Sequence, residues 1–132
     1  TGLHGRVSVA LKSDFLLILD TGHPHYLVLE RDGDLFLNMI DPPLPLFKIE
    51  TFIAFLRFTH QEWQNGRTVL IHCNRGESRA PTLALIFLAR RLGALPANSF
   101  TAAAAQFVSV YPGYKPGQGI QTFLRQHWAD IL

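Results

Sequence analysis

The chain has 132 residues, 48% hydrophobic and 17% charged, which suits one ordinary domain (1–132) with a real core and argues against a disordered chain. Its net charge is only +2, and nine Arg against three Lys are scattered rather than blocked, so no nucleic-acid partner is expected. A single Cys leaves no disulfide framework and fits a reducing, cytoplasmic setting; no apolar run reaches the roughly eighteen residues of a membrane span, and no oligomer is indicated.

Taken in order, residues 6–11, 15–20, 26–30 and 34–39 are short apolar or alternating runs and are predicted strands, with Arg31-Asp32-Gly33-Asp34 a tight turn. Asp41-Pro42-Pro43-Leu44-Pro45 is a stiffened loop, because proline fixes φ and carries no donor. Residues 46–64 are a predicted helix with Ile49, Phe52, Ile53, Leu56 and Trp63 largely on one face, ended by Asn65-Gly66. Arg67–His72 is a strand. Thr82–Leu92 is apolar nearly all round, which marks a buried central helix stopped at Gly93. A third helix is expected from about Asn98 to Val110, then a loop over 111–117 and a last helix from about Gln118 to Ile131.

The strand at 67–72 leads into His72-Cys73-Asn74-Arg75-Gly76-Glu77-Ser78-Arg79-Ala80-Pro81-Thr82. A loop between a strand and a helix start gathers backbone N–H groups around one point, and the helix adds its positive dipole end. Such a cradle takes a tetrahedral dianion and favours the thiolate of a cysteine at its centre. Arg79 adds a planar fork that can pair with two phosphate oxygens. Nucleophile, cradle and clamp within seven residues imply phosphoryl transfer through a cysteinyl-phosphate. A buried small hydrophobe would explain Cys73 alone, but not Arg79 and Pro81 with it.

The run resembles the signature loop of the cysteine-dependent protein phosphatases, and Cys-x-x-Gly-x-Ser-Arg followed by Ala-Pro-Thr looks most like the dual-specificity members. The resemblance spans roughly residues 34–128. It implies a general-acid Asp on a loop some thirty residues upstream of the Cys, and Asp41 stands 32 residues before Cys73. It also implies a Pro-Asn-x-Gly-Phe-x-x-Gln-Leu pattern opening the last helix. Pro116, Gly119 and Leu124 match, Ile120 substitutes for Phe, and the Asn and Gln are absent. The stretch Leu16–Pro24 is more similar to compact bacterial members. One departure bears on chemistry. The family carries Ser or Thr directly after the Arg, whose hydroxyl helps the thiolate leave, and here that position is Ala80.

Other residues have weaker claims. Asp20 and Asp34 rival Asp41 but sit in or beside predicted strands. His72 is expected to lie buried behind the loop, bonding backbone and steadying the thiolate, rather than to act as a second base. Arg75 is more simply a solvated loop charge offset by Glu77. Gln118 could position a hydrolytic water. His23-Pro24-His25 lacks a third ligand at metal spacing and is a turn, so no metal is expected. Tyr111 and Tyr114 could line the mouth of the site or pack the last helix.

The expectation is therefore an α/β domain, a small, mostly parallel twisted sheet flanked by helices, with the active loop at the carboxyl end of strand 67–72. It would hydrolyse phosphomonoesters without a cofactor, on phosphorylated Tyr or Ser/Thr of a protein or peptide substrate. Cys73 attacks, and Arg79 with the amides of Asn74, Arg75, Gly76, Glu77 and Ser78 holds the phosphoryl oxygens. Asp41 supplies and then accepts the proton. Two other uses of the same cradle are a weakly active phosphate-binding module, which Ala80 would favour, and arsenate reduction or sulfur transfer. A lone thiol disfavours arsenate reduction, and sulfur transfer would leave Asp41 without a task.

Overall fold

Val7 and Val9 on one face of a strand and Ala10 on the other are all buried. Burial on both faces is the mark of an interior strand of a parallel sheet, and that is where this segment sits. The computed structural model describes residues 6–11, 28–31, 33–37, 39, 47–73 and 76–131. Strand β1 (Arg6–Ala10) lies between β3 (Asp34–Leu37) and β4 (Thr68–His72), parallel to both, while β2 (Val28–Arg31) pairs antiparallel with β3. The sheet order is β2-β3-β1-β4, so β4 is an edge strand among the described residues. The predicted strand at 15–20 and the proline loop over 41–45 lie outside them.

The expected tight turn is present. Arg31 pairs with Asp34, and Gly33 has φ +82°, a conformation that glycine adopts without steric cost.

Helix α1 (Ile49–Gln64) begins three residues later than predicted, because Lys48 is still extended at φ −117°, ψ 133°. Its inward residues are Phe52, Phe55, Leu56, Phe58 and Thr59. Trp63, expected on that face, is 49% exposed and lies edge-on to Phe87 at 5.8 Å between ring centroids. Asn65-Gly66 ends the helix as expected, with Gly66 at φ +77°.

Helix α2 (Arg79–Arg90) follows the loop after β4 and is the buried central helix. It starts at Arg79 rather than Thr82, the N–H of Thr82 closing on the Ser78 carbonyl at 3.0 Å. Pro81 is tolerated because first-turn N–H groups have no intrahelical partner to lose. Past its end Gly93, at φ +65°, lets the Ala94 N–H reach the Leu88 carbonyl at 2.9 Å. Helix α3 (Phe100–Val110) is capped by Ser99, whose Oγ accepts from the Ala102 N–H at 3.0 Å. Helix α4 (Gln118–His127) stops short of Ile131 and passes into a 3₁₀ turn, Trp128–Asp130. Trp128 holds the chain there. It is buried, its Nε1–H donates to the Ala97 carbonyl at 2.8 Å, and the Arg90 guanidinium lies over its ring.

Helices α1 and α2 both pack against β4, and α3 and α4 pack in turn beyond α2. Phe52 of α1 stacks on Phe123 of α4 at 5.4 Å, joining the two ends of the chain's helical half. Phe123 stands where the resembled C-terminal pattern carries Gln, and the position is core here. No helix among the described residues is long and apolar enough to cross a membrane.

Candidate active site

Parallel strands deliver their carboxyl ends to one edge of the sheet. Cys73 is the first residue past β4, half-buried at that edge, and α2 starts six residues later. The connection is short enough to keep the helix start beside Cys73. The backbone N–H of Ala80, in the first turn of α2, is directed at Cys73 Sγ at 3.4 Å. An N–H donor and a helix N-terminus both favour negative charge on that sulfur. Gly76 takes φ +69°, a left-handed turn that folds the loop back on itself.

Arg79 is the first residue of α2, and its Nη1 donates to the Met39 carbonyl at 2.7 Å. Met39 lies just beyond β3. The bond ties the helix start to the segment that leaves the sheet toward the proline loop. Asn74, Arg75 and Asp41 lie outside the described residues.

The loop over 111–117 is the part of the site that sequence reasoning underrated. Tyr111 Oη donates to the Gly76 carbonyl at 2.6 Å, and the Lys115 N–H donates to the Glu77 carbonyl at 2.7 Å. The Gly117 N–H donates to Ser78 Oγ at 2.8 Å. Three consecutive residues of the signature loop, 76 to 78, are thus each fastened to one short segment. Gly117 occupies the place of the Asn in the resembled pattern, and a backbone N–H makes the bond to Ser78 there. Tyr111 is 40% exposed and stands at the mouth, whereas Tyr114 is buried edge-on against Phe107 with its hydroxyl 2.7 Å from Thr82 Oγ1. Tyr111 thus meets the first expected alternative, while Tyr114 packs on α3 and α2 rather than on the last helix.

The remaining candidates separate cleanly. Asp34 opens β3, level with Ser8 of β1 and Leu70 of β4, and accepts from Ser8 Oγ at 2.8 Å. It is a sheet residue. His72 is half-buried rather than buried, and its backbone carbonyl accepts from the Leu11 N–H at 3.1 Å. Glu77 faces Lys115 with 4.0 Å between charged atoms. Gln118 is exposed at the start of α4, next to Gly117. Asp20 and His23-Pro24-His25 lie outside the described residues. Among the described residues no group of three His, Cys, Asp or Glu could hold a metal.

A cavity of about 330 Å³ opens beside Cys73, between β4, α2 and α3. Val69, Ile71, Ala84 and Phe107 form its apolar wall, and His72, Gly76 and Tyr111 its polar end.

No protein-family model and no curated protein matches the sequence. Solved structures do match the fold. The human tyrosine phosphatase-like serine/threonine/tyrosine-interacting protein superposes with a TM-score of 0.69 at 20% identity, over 98% of this chain and 80% of that one. Human DUSP28 gives 0.68 at 16%, over 95% and 78%. Tk-PTP in its active form gives 0.67 at 23%, over 94% and 78%. The chain is thus similar to dual-specificity and tyrosine phosphatases through most of its length, and its fold is theirs.

Proposed function

We propose that the chain is a cysteine-dependent phosphatase that hydrolyses phosphomonoesters of phosphorylated proteins, on Tyr or on Ser/Thr. The observation that carries this reading is the position of Cys73 Sγ, at the carboxyl end of a parallel strand and 3.4 Å from an N–H of the helix start that also bears Arg79. Cys73 and Arg79 bracket one short loop between a strand end and a helix start, and the fold is shared with dual-specificity and tyrosine phosphatases.

In the proposed reaction the Cys73 thiolate attacks phosphorus. An S–P bond forms and the P–O ester bond breaks, with Asp41 giving its proton to the leaving oxygen. The equatorial oxygens are held by the Arg79 fork and the amides of residues 74–79, which stabilise charge as it develops. Water then attacks phosphorus, Asp41 takes its proton, and the S–P bond breaks to return the thiolate and free phosphate. The bond from Arg79 to the Met39 carbonyl supports the part given to Asp41. Met39 stands two residues before Asp41 in the sequence.

The test is phosphate release from a panel of phosphotyrosine, phosphoserine and phosphothreonine peptides, phosphoinositides and nucleotides, with and without chelator. Release from phosphopeptides, lost in Cys73→Ser and indifferent to chelator, is expected. Tight phosphopeptide binding without sustained release would replace hydrolysis by trapping. Clear loss with chelator would point to a metal enzyme.

A further inference from the structure

The far end of α2 carries a second concentration of positive charge that the proposed reaction does not use. A cavity of about 430 Å³ lies between α1 and the end of α2, lined by Ile53, Arg57, His60, Gln61, Gln64 and Arg91. Five of these lie on α1, and Ile53, Arg57, His60 and Gln64 recur there at intervals of three and four, so they share one helix face. Twelve residues of α2 at about 1.5 Å each set Arg91 roughly 18 Å from Arg79, so this cavity is separate from the Cys73 site.

Among the described residues its charge is not balanced locally. Glu62, the acid of α1 nearest in sequence, is engaged by Arg67 at 2.7 Å, and neither Arg57 nor Arg91 has a carboxylate partner among the described residues. Arg91 reaches only the Arg90 carbonyl, at 3.5 Å, while Arg90 is committed to the Ala97 carbonyl and the face of Trp128. Burial, and then the neighbouring charge of Arg90, hold the Arg91 guanidinium below its ordinary value. His60 adds a further polar group. Its Nδ1 is shut off from solvent with no hydrogen-bond partner among the described residues, and the residue lines the cavity.

A basic residue at a helix C-terminus is often no more than a capping charge, and the carbonyl ends of α1 and α2 do oppose an anion. Each end amounts to about half a negative charge, however, against two full guanidinium charges together with an imidazole and two amides. That set of donors matches a tetrahedral dianion, and guanidinium forks are the side chains best shaped for phosphate. We infer that the cavity between α1 and the end of α2 is a second anion site that binds a phosphate group through Arg57, Arg91 and His60. The site stands independently of the phosphatase reading.

The phosphate could be free or carried on a peptide, and one experiment separates the two. The Cys73→Ser chain is titrated at low salt with inorganic phosphate, and separately with a phosphorylated peptide and its unphosphorylated twin. The His60 ring and Gly76 amide NMR signals are followed together. Saturable movement of His60, with a midpoint different from that of Gly76 and at least about tenfold weaker binding in Arg57→Gln/Arg91→Gln, is expected. A response to inorganic phosphate identifies the free ion as sufficient. A response to the phosphopeptide alone, not to its twin, identifies a carried phosphate. A thermal melt checks that the double variant is folded. The wild-type chain with vanadate filling the Cys73 site repeats the titration should Cys73→Ser fail to fold. An unmoved His60 in every titration, or the same shift at the same midpoint in the folded double variant, overturns the assignment.

Discussion

The backbone N–H of Ala80 lies 3.4 Å from Cys73 Sγ. A residue that has no hydroxyl to offer the sulfur therefore still supplies a donor, through the main chain. Ala80 is 5% exposed and lines the same cavity as Cys73, so a serine hydroxyl placed there would be sheltered from water. A hydrogen bond to a charged group contributes about 1.5–3 kcal/mol, or roughly tenfold to a hundredfold in rate. With the amide alone, breakdown of the phosphoenzyme should be slower than its formation. Rapid mixing should show a burst of released alcohol followed by a slower steady state, and Ala80→Ser should raise the steady rate and shrink the burst. No burst in the wild type, with Ala80→Ser unchanged or slower, would mean that the amide already suffices.

Arg79 has two tasks in this arrangement, the carbonyl of Met39 and the proposed phosphoryl group. A lysine keeps the charge but cannot present parallel N–H groups to both. Arg79→Lys should therefore lose nearly as much kcat/KM as Arg79→Ala. Recovery of most activity by lysine in steady-state assays would show that a point charge is enough.

Asp41→Asn should lower kcat by roughly 10²-fold or more on tyrosyl or alkyl phosphates. On an activated aryl phosphate, whose leaving group needs no proton, the loss should be small. Equal losses on both would assign Asp41 a structural role.

Tyr111 and Gly76 form a testable pair, since Tyr111 Oη holds the carbonyl of a residue at φ +69°. Tyr111→Phe removes a half-exposed bond of about 0.5–1.5 kcal/mol, so the melting temperature should move little while kcat/KM falls several-fold. Gly76→Ala has space for its Cβ, whose nearest neighbour would be Tyr111 Oη at 3.5 Å, yet it strains the left-handed backbone by about 1–2 kcal/mol. The double variant should lose less than the sum of the two, because both act on the same turn. Strict additivity would separate Tyr111 from the geometry of the loop.

Much of this molecule is written in local sequence. Gly33 turns the hairpin, Gly66 and Gly93 follow helix ends because glycine accepts positive φ, and the apolar run of α2 marks the central helix. The order His-Cys-x₅-Arg before a helix start is enough to place Cys73 and Arg79 together, since strand, loop and helix N-terminus are contiguous in the chain. What neighbours in space supply was not legible. Lys48 stays extended and Trp63 faces partly outward, because helix packing rather than periodicity alone chose Phe55 and Thr59 for the interior. Phe123 replaces a polar residue of the resembled pattern because its ring stacks on Phe52, some seventy residues away in the chain. The bonds from Tyr111, Lys115 and Gly117 to residues 76–78 span 35 to 39 positions and use mostly backbone groups, which carry no sequence signature. Local propensity thus decided where Cys73 sits, and long-range packing decided what holds the loop after it in shape.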